Sequence, residues 1–404
     1  PIALWGISLF AVFLGATDGI SLGSILFPHS IEHENGSYKS IGMSLGLLTT
    51  FVANLVAYFF SEFPHAVGGA VLPVIPIIAA YFQSVGPENC ATCMLALPII
   101  TLLCGILTYF IGLIGVADIV KACPFIIFGG FIAGTGAQLL EFSLNMMYPD
   151  FKAFAMLGPQ GVPALLRMEA WVFCGPGVLV AFGVFLLPRI RPGDYTFLLP
   201  FSVIGLAAAF YVVLFASGTT VAEARAQGWL FDVEVPKRLD FYRVWTIEGS
   251  PVQTILSWDA SSAIRWDLLC SVDFALTILQ VFVMGLLTSA KNIYGLSEVT
   301  HSHVDIDREV RVAGIQGVCC GLAGAIPGNL VMSFSVTAHK LGGRSKTFAL
   351  FLAINSLIIF FLGDFAVAFL PKMVPACVLF WLGIVLCVYW VWDGVGSVSA
   401  TEHA

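Results

Sequence analysis

Charge is what this chain has least of: 18 Lys and Arg and 25 Asp and Glu among 404 residues, or 11%, where a soluble domain carries about 25%. That scarcity excludes an ordinary water-soluble globule of this length. The net charge of −7 is spread over loops, which excludes a basic nucleic-acid face and a polybasic membrane anchor. A disulfide framework is missing as well. Eight of the 10 cysteines, at 104, 123, 174, 270, 319, 320, 377 and 387, sit in or beside apolar runs, where cysteine behaves as a small hydrophobe. Only Cys90 and Cys93, in PENCATC, read as loop residues able to pair in an oxidising compartment, and no βαβ context supports a thioredoxin-like role. Metal-ligand spacing of the H-E-x-x-H kind does not occur. Glu298, His301, His303 and Asp305 have the right residue types without the spacing, and read as a loop whose acids Asp305 and Asp307 cap the next helix. No nucleophile and base are paired, so the sequence implies neither an enzyme nor a metal or cofactor.

What fills the chain is apolar: 58% hydrophobic residues, 34 Phe and 40 Gly. Apolar runs near the length that crosses a bilayer, about 20 residues, recur from end to end. The fold class is therefore an all-α polytopic membrane protein. Segments are predicted near 3–27, 41–60, 66–83, 95–116, 123–144, 170–188, 196–216, 268–290, 310–325, 329–339, 346–363 and 366–392, several of them short or broken. Connections on one side hold Lys121, Arg189, Arg191, Lys291, Arg308, Arg311, Lys340, Arg344 and Lys346, against Lys39, Lys152 and Arg167 on the other. The positive-inside rule then places the N-terminus in the cytoplasm. The sequon Asn35-Gly36-Ser37 falls on the opposite side, and the connection 217–267 carries Trp-rich amphipathic text, GWLFDVEVPKRLDFYRVW, that reads as a cap or interfacial segment.

Two segments stop halfway. Phe63-Pro64-His65-Ala66-Val67-Gly68-Gly69 precedes the third, and Ile326-Pro327-Gly328-Asn329 precedes the tenth. Transporters built from inverted repeats carry such breaks at corresponding positions, and the breaks mark the binding site. A half-helix starting near Asn329 to Ser333 has free N–H groups at membrane depth, a place for an anionic group, with a facing half-helix from about Gly68. Ser333, Ser335 and Thr337 are candidate hydroxyl donors. Asp18 lies mid-segment among Gly15, Ala16, Gly19 and Ser21, and an intramembrane acid is by default functional. It is the candidate proton carrier.

At these residues the chain resembles the SulP (sulfate permease) family. ADIVKACPFIIFGGFIAGTGAQLL (117–140) is similar to that family's fifth-helix signature. HVDIDREVRVAGIQGVCCGLAGAIPG (303–328) is similar to its acidic loop and ninth helix, and MSFSVTAHKLGGRSKTFALFLA (332–353) to its tenth helix and GGR segment. The resemblance implies seven-plus-seven inverted repeats with discontinuous third and tenth helices, elevator-type alternating access, homodimers and a cytosolic STAS domain. On that plan 1–216 is the first repeat, 217–267 a connecting segment and 268–404 a second repeat. Helices thirteen and fourteen and the STAS domain have no counterpart, and the sequence, which starts at Pro1, reads as a trimmed fragment.

Two departures bear on cargo. Where anion-carrying members have Ser-Arg this chain has Ser335-Val336, and where sodium-linked members carry an acid it has Met284, with Thr288 still matching a hydroxyl. LGATDGISLGSILFP (14–28) resembles a branch typified by fungal vacuolar-membrane members linked to basic amino-acid storage, with Asp18 at the acid position. The resemblance thus implies secondary transport of a small inorganic or organic anion of the sulfate, bicarbonate or chloride class. The alternatives are proton-coupled transport of an amino acid or other cationic solute, or a channel-like protein without turnover. The substrate-binding candidates are Asp18, Ser21, Gly68, Gly69, Thr288, Asn329, Ser333, Ser335, Val336 and Thr337. The expected partners are a small solute or ion, the lipid bilayer and a second copy of the chain, with the plasma or vacuolar-type membrane left open.

Overall fold

The computed structural model describes residues 2–26, 32–33, 36–86, 89–115, 125–148, 168–191, 193, 195, 198–231 and 264–388. The helices are α1 (Ile2–Leu26), α2 (Tyr38–Phe60), α3 (Ile75–Val85), α4 (Cys90–Ile114), α5 (Phe125–Met147), α6 (Met168–Ile190) and α7 (Leu198–Ala216), followed by the short α8 (Val221–Ala226) and α9 (Trp266–Leu269). They continue with α10 (Val272–Thr300), α11 (Ile306–Leu322), α12 (Met332–Lys340), α13 (Lys346–Phe369) and α14 (Met373–Cys387). Two strand pairs interrupt them: β1 (Glu32–His33) with β2 (Gly36–Ser37), and β3 (Gly68–Ala70) with β4 (Gly328–Leu330). Among the described residues six helices are long and apolar enough to cross a membrane, within α1, α2, α4, α6, α10 and α13. The protein is thus all-α and polytopic. The sequon Asn35 and most of the Trp-rich connection fall outside the described residues.

The chain divides into two compact units, residues 1–122 with 233–366, and 123–232 with 367–404. In the first, α4 and α11 form the closest helix pair. Without water to drive helices together, close backbone approach over small residues holds them. Gly314 shows the requirement: a Cβ there would lie 2.5 Å from the Tyr109 backbone nitrogen. Two buried clusters complete the unit, one around Phe63, Leu286, Leu296 and Val310, the other around Val12, Val67, Phe334 and Phe348. In the second unit α14 packs on α5 and α6. Its loops are tied by Arg225, whose guanidinium donates to the Ala368 carbonyl at 2.7 Å, and by the Lys372 N–H, which donates to the Trp229 carbonyl at 2.9 Å.

Three boundaries differ from the sequence expectation. Cys90 and Cys93 are in the first turn of α4 and not in a loop; the helix starts one residue after Asn89, and Cys93 is buried and in no disulfide. The break expected near 364–365 falls after Phe369, because α13 runs on to the Leu370-Pro371 step before α14 begins. Proline disfavours a helical conformation in the residue before it, so this is where the helix ends. The third difference concerns the half-helices.

Candidate functional site

The two broken segments meet inside the first unit, as extended backbone and not as helix ends. Gly68, Gly69 and Ala70 pair antiparallel with Leu330, Asn329 and Gly328. α12 begins at Met332, within the expected 329–333, whereas α3 begins later than expected, at Ile75 after a 3-10 turn over Leu72–Val74. The physical reason is the length of the Pro-Gly break: buried backbone polar groups must be paired, and two such breaks side by side satisfy each other as strands. Outside the ladder the Val71 N–H donates to the Pro327 carbonyl at 2.9 Å and the Val331 N–H to the Val67 carbonyl at 2.8 Å. Many amides expected to face cargo are therefore held by the partner strand.

Side chains from three helices fix this crossing. Asn54 on α2 accepts the Gly68 N–H at 2.8 Å, and its amide donates to the Thr50 carbonyl at 2.8 Å and to Ser356 Oγ at 2.9 Å. Asn329 donates through Nδ2 to Ser289 Oγ at 3.1 Å, and Asn292 donates to the Leu330 carbonyl at 2.8 Å. Gly68 has no room for a side chain, since a Cβ would sit 2.6 Å from that of Ala53. The sequence analysis missed Asn54, Ser289, Asn292 and Ser356. Their signal was present: a polar residue inside an apolar helix needs a partner within the protein.

The proposed residues divide by what their polar atoms do. Ser335 is fully buried, donating to the Val331 carbonyl at 2.8 Å and accepting the Val67 N–H at 2.9 Å, so it braces the crossing. Thr337 bonds back to the Ser333 carbonyl at 2.9 Å and Ser21 to the Thr17 carbonyl at 2.7 Å. Val336 packs with the Phe63 and Leu296 cluster. Ser333 is exposed in the first turn of α12, where the first helical bond runs from Ser335 N–H to Val331, leaving the preceding amides at the helix start. Two candidates hold an oxygen that is buried without a partner: Asp18 through Oδ1 and Thr288 through Oγ1. Asp18 is 6% exposed on α1, one turn beyond Gly15, whose Cβ position would lie 3.9 Å from the Gly68 carbonyl oxygen. α1 packs against both β3 and α12. An unpaired carboxyl in that position can hold a proton or a cationic group.

In the connector before β3, His65 is 2% exposed and stacks edge-on against His339 at 4.6 Å between ring centroids. Burial pushes its imidazole down from 6.5 to about 4, and His339 and Arg344 act in the same direction. A histidine held neutral in the fold but free to charge when unfolded stabilises above its unfolded pKa, and that stability is lost as pH falls towards the folded value. Thermal unfolding should therefore drop between about pH 6.5 and 4, by up to about 3 kcal/mol for this group. His65→Phe should flatten that part of the profile; an unchanged slope would assign the acid loss to other groups.

The sequence signature described as the sulfate permease family matches residues 17–391. The vacuolar basic amino acid transporter VSB1 of Saccharomyces cerevisiae (strain ATCC 204508 / S288c) is 21% identical over 98% of this chain, which spans 38% of that relative's length. Among solved structures, the transmembrane domain of a cyanobacterium bicarbonate transporter, BicA, superposes with a TM-score of 0.63 at 16% identity, over 98% of this chain and 92% of that one. The structure of SLC26A9 does so with a TM-score of 0.65 at 14% identity, over 96% of this chain and 59% of that one. The fold is thus related to that of these two proteins, and a family signature that runs from Thr17 through the strand crossing to Val391 makes this chain a member of the sulfate permease family.

Proposed function

We propose that this protein is a secondary active transporter working by alternating access about the β3–β4 crossing, and that its cargo is a small cationic solute of the basic amino-acid class exchanged against protons at Asp18. The observation that carries this reading is the buried, unpartnered Asp18 oxygen next to the crossing, together with an apolar Val336 where a cation would favour anions. One carboxylate can hold a proton or an ammonium or guanidinium group, but not both, so arrival of one releases the other. The amide ends of α12 and α3 suit the solute's carboxylate. The likeness to a vacuolar basic amino acid transporter points the same way. The inverted repeats are assigned to 1–216 and 268–404, joined by 217–267, with a homodimer as the working unit and a cytoplasmic N-terminus in a vacuolar-type membrane.

A second reading keeps the scaffold and makes the cargo an inorganic or organic anion, with Asp18 carrying a proton alongside it. The two half-helix starts and the likeness to a bicarbonate transporter favour it. Full-length protein in liposomes, given labelled arginine, sulfate, bicarbonate or chloride with and without a pH gradient, separates the two. Saturable, gradient-driven arginine accumulation is expected. Accumulation of an anion without arginine uptake would replace the first reading by the second, and single-channel currents would end both.

A further inference from the structure

Between α2, α10 and α11 lies a cavity of about 10 Å³, the room of one water molecule, with Ser61, Ser289, Glu309 and Gln316 as its polar wall. Glu309 is 3% exposed. Its carboxylate accepts the Glu62 N–H at 2.6 Å and the Ser61 hydroxyl at 3.0 Å, both neutral donors. No described cation lies within ion-pair distance of it. Arg308, on its own helix, is bridged to Glu62 at 2.5 Å at the surface, and Lys346 on α13 donates to the Ser61 carbonyl at 3.1 Å. A buried carboxyl with no cation in ion-pair contact favours its neutral form. Burial pushes Glu309 up, helped by the Glu62 charge and opposed by the Glu62 N–H, the Ser61 hydroxyl and the Arg308 charge.

The far side of the cavity leads to the strand crossing. Ser289 Oγ accepts from Asn329 Nδ2, and Asn329 pairs with Gly69. We propose that this cavity is a second proton-binding site, in which one water bridges Glu309 and Ser289 so that the ionisation of Glu309 is felt by Asn329. A hydronium reaching the cavity past the Glu62–Arg308 pair transfers a proton to a Glu309 oxygen: one hydronium O–H bond breaks, a carboxyl O–H forms and the water stays. The ionised carboxylate accepts from that water, whereas the protonated acid donates to it. The water then turns, and the Ser289 hydroxyl that supports Asn329 turns with it. The consequence for transport rests on the crossing being the cargo site, but proton binding at Glu309 does not.

The test uses infrared difference spectra of the full-length protein in phosphatidylcholine bilayers, stepped between about pH 9 and 5, a window above the ordinary carboxylate range. A carboxylic C=O component should appear on acidification that is missing from Glu309→Gln and persists in Asp18→Asn, separate from the component that Asp18 itself contributes. Identical spectra for wild type and Glu309→Gln would overturn the proposal, because a permanently ionised structural acid does not titrate there. Should Glu309→Gln fail to fold, Ala313→Val fills the cavity while keeping the acid. It should move the midpoint of the band by about half a pH unit or more, and an unmoved midpoint would remove the water from the mechanism. Absence of arginine uptake in the liposome assay with an intact Glu309 band would count against the transport reading alone.

Discussion

Asp18→Asn should abolish pH-gradient-driven uptake, lowering the driven rate by at least about 100-fold, the scale set by loss of a positioned proton-transferring group. The substitution keeps size and shape and removes only the ability to ionise. In this protein the acid sits 6% exposed on α1 with Oδ1 unpartnered, one turn from Gly15, where a Cβ would lie 3.9 Å from the Gly68 carbonyl oxygen. No other candidate in the cargo site at the strand crossing can carry charge, because the rest are Ser, Thr, Asn, Gly and Val. Uptake in proteoliposomes with an imposed gradient, normalised to the amount of folded protein, is the measurement. If Asp18→Asn accumulates arginine as wild type does, Asp18 is a structural acid and both the proton and cation roles fall with it.

Gly314→Leu should leave no folded protein. A side chain there meets Tyr109 backbone atoms at 2.5 and 2.6 Å, and backbone cannot move aside as a flexible side chain can. The α4–α11 contact would have to open by several ångströms, and overpacking on that scale exceeds the 1 to 3 kcal/mol typical of core insertions. Because α11 also carries Gln316, which donates to the Ala53 carbonyl at 3.0 Å, its displacement would loosen α2 as well. Size-exclusion monodispersity and thermal unfolding in detergent provide the readout. Gly205→Leu on α7, where a Cβ meets nothing within 4 Å, is the control and should stay within about 0.5 kcal/mol of wild type. A monodisperse Gly314→Leu protein with wild-type unfolding would show that the two helices do not depend on this approach.

Much of the architecture was legible in the residues. Apolar runs placed α1, α2, α6 and α7 within two to four residues of their ends, since chain length in lipid is a one-dimensional constraint. The Pro-Gly steps at 327–328 and the Gly pair at 68–69 marked where backbone leaves the helix. Residue order could not show how the freed amides are satisfied. Pairing Gly69 with Asn329 is a contact across 260 positions, and it turned the helix start expected at Gly68 into a strand. For the same reason Ser335 looked like a cargo donor: its hydroxyl is polar in any sequence, but only the approach of Val67 makes it a brace.

The sequence by itself determined that this is a membrane protein with two interrupted segments and one acid in its first span, because the expense of polar groups in hydrocarbon leaves a linear trace. Tertiary structure decided which hydroxyls and amides remain available, and it brought Glu309 beside Ser289 around a space for one water. Those outcomes depend on which groups meet across helices, and a hydrogen bond between distant residues leaves no mark on the residues between them.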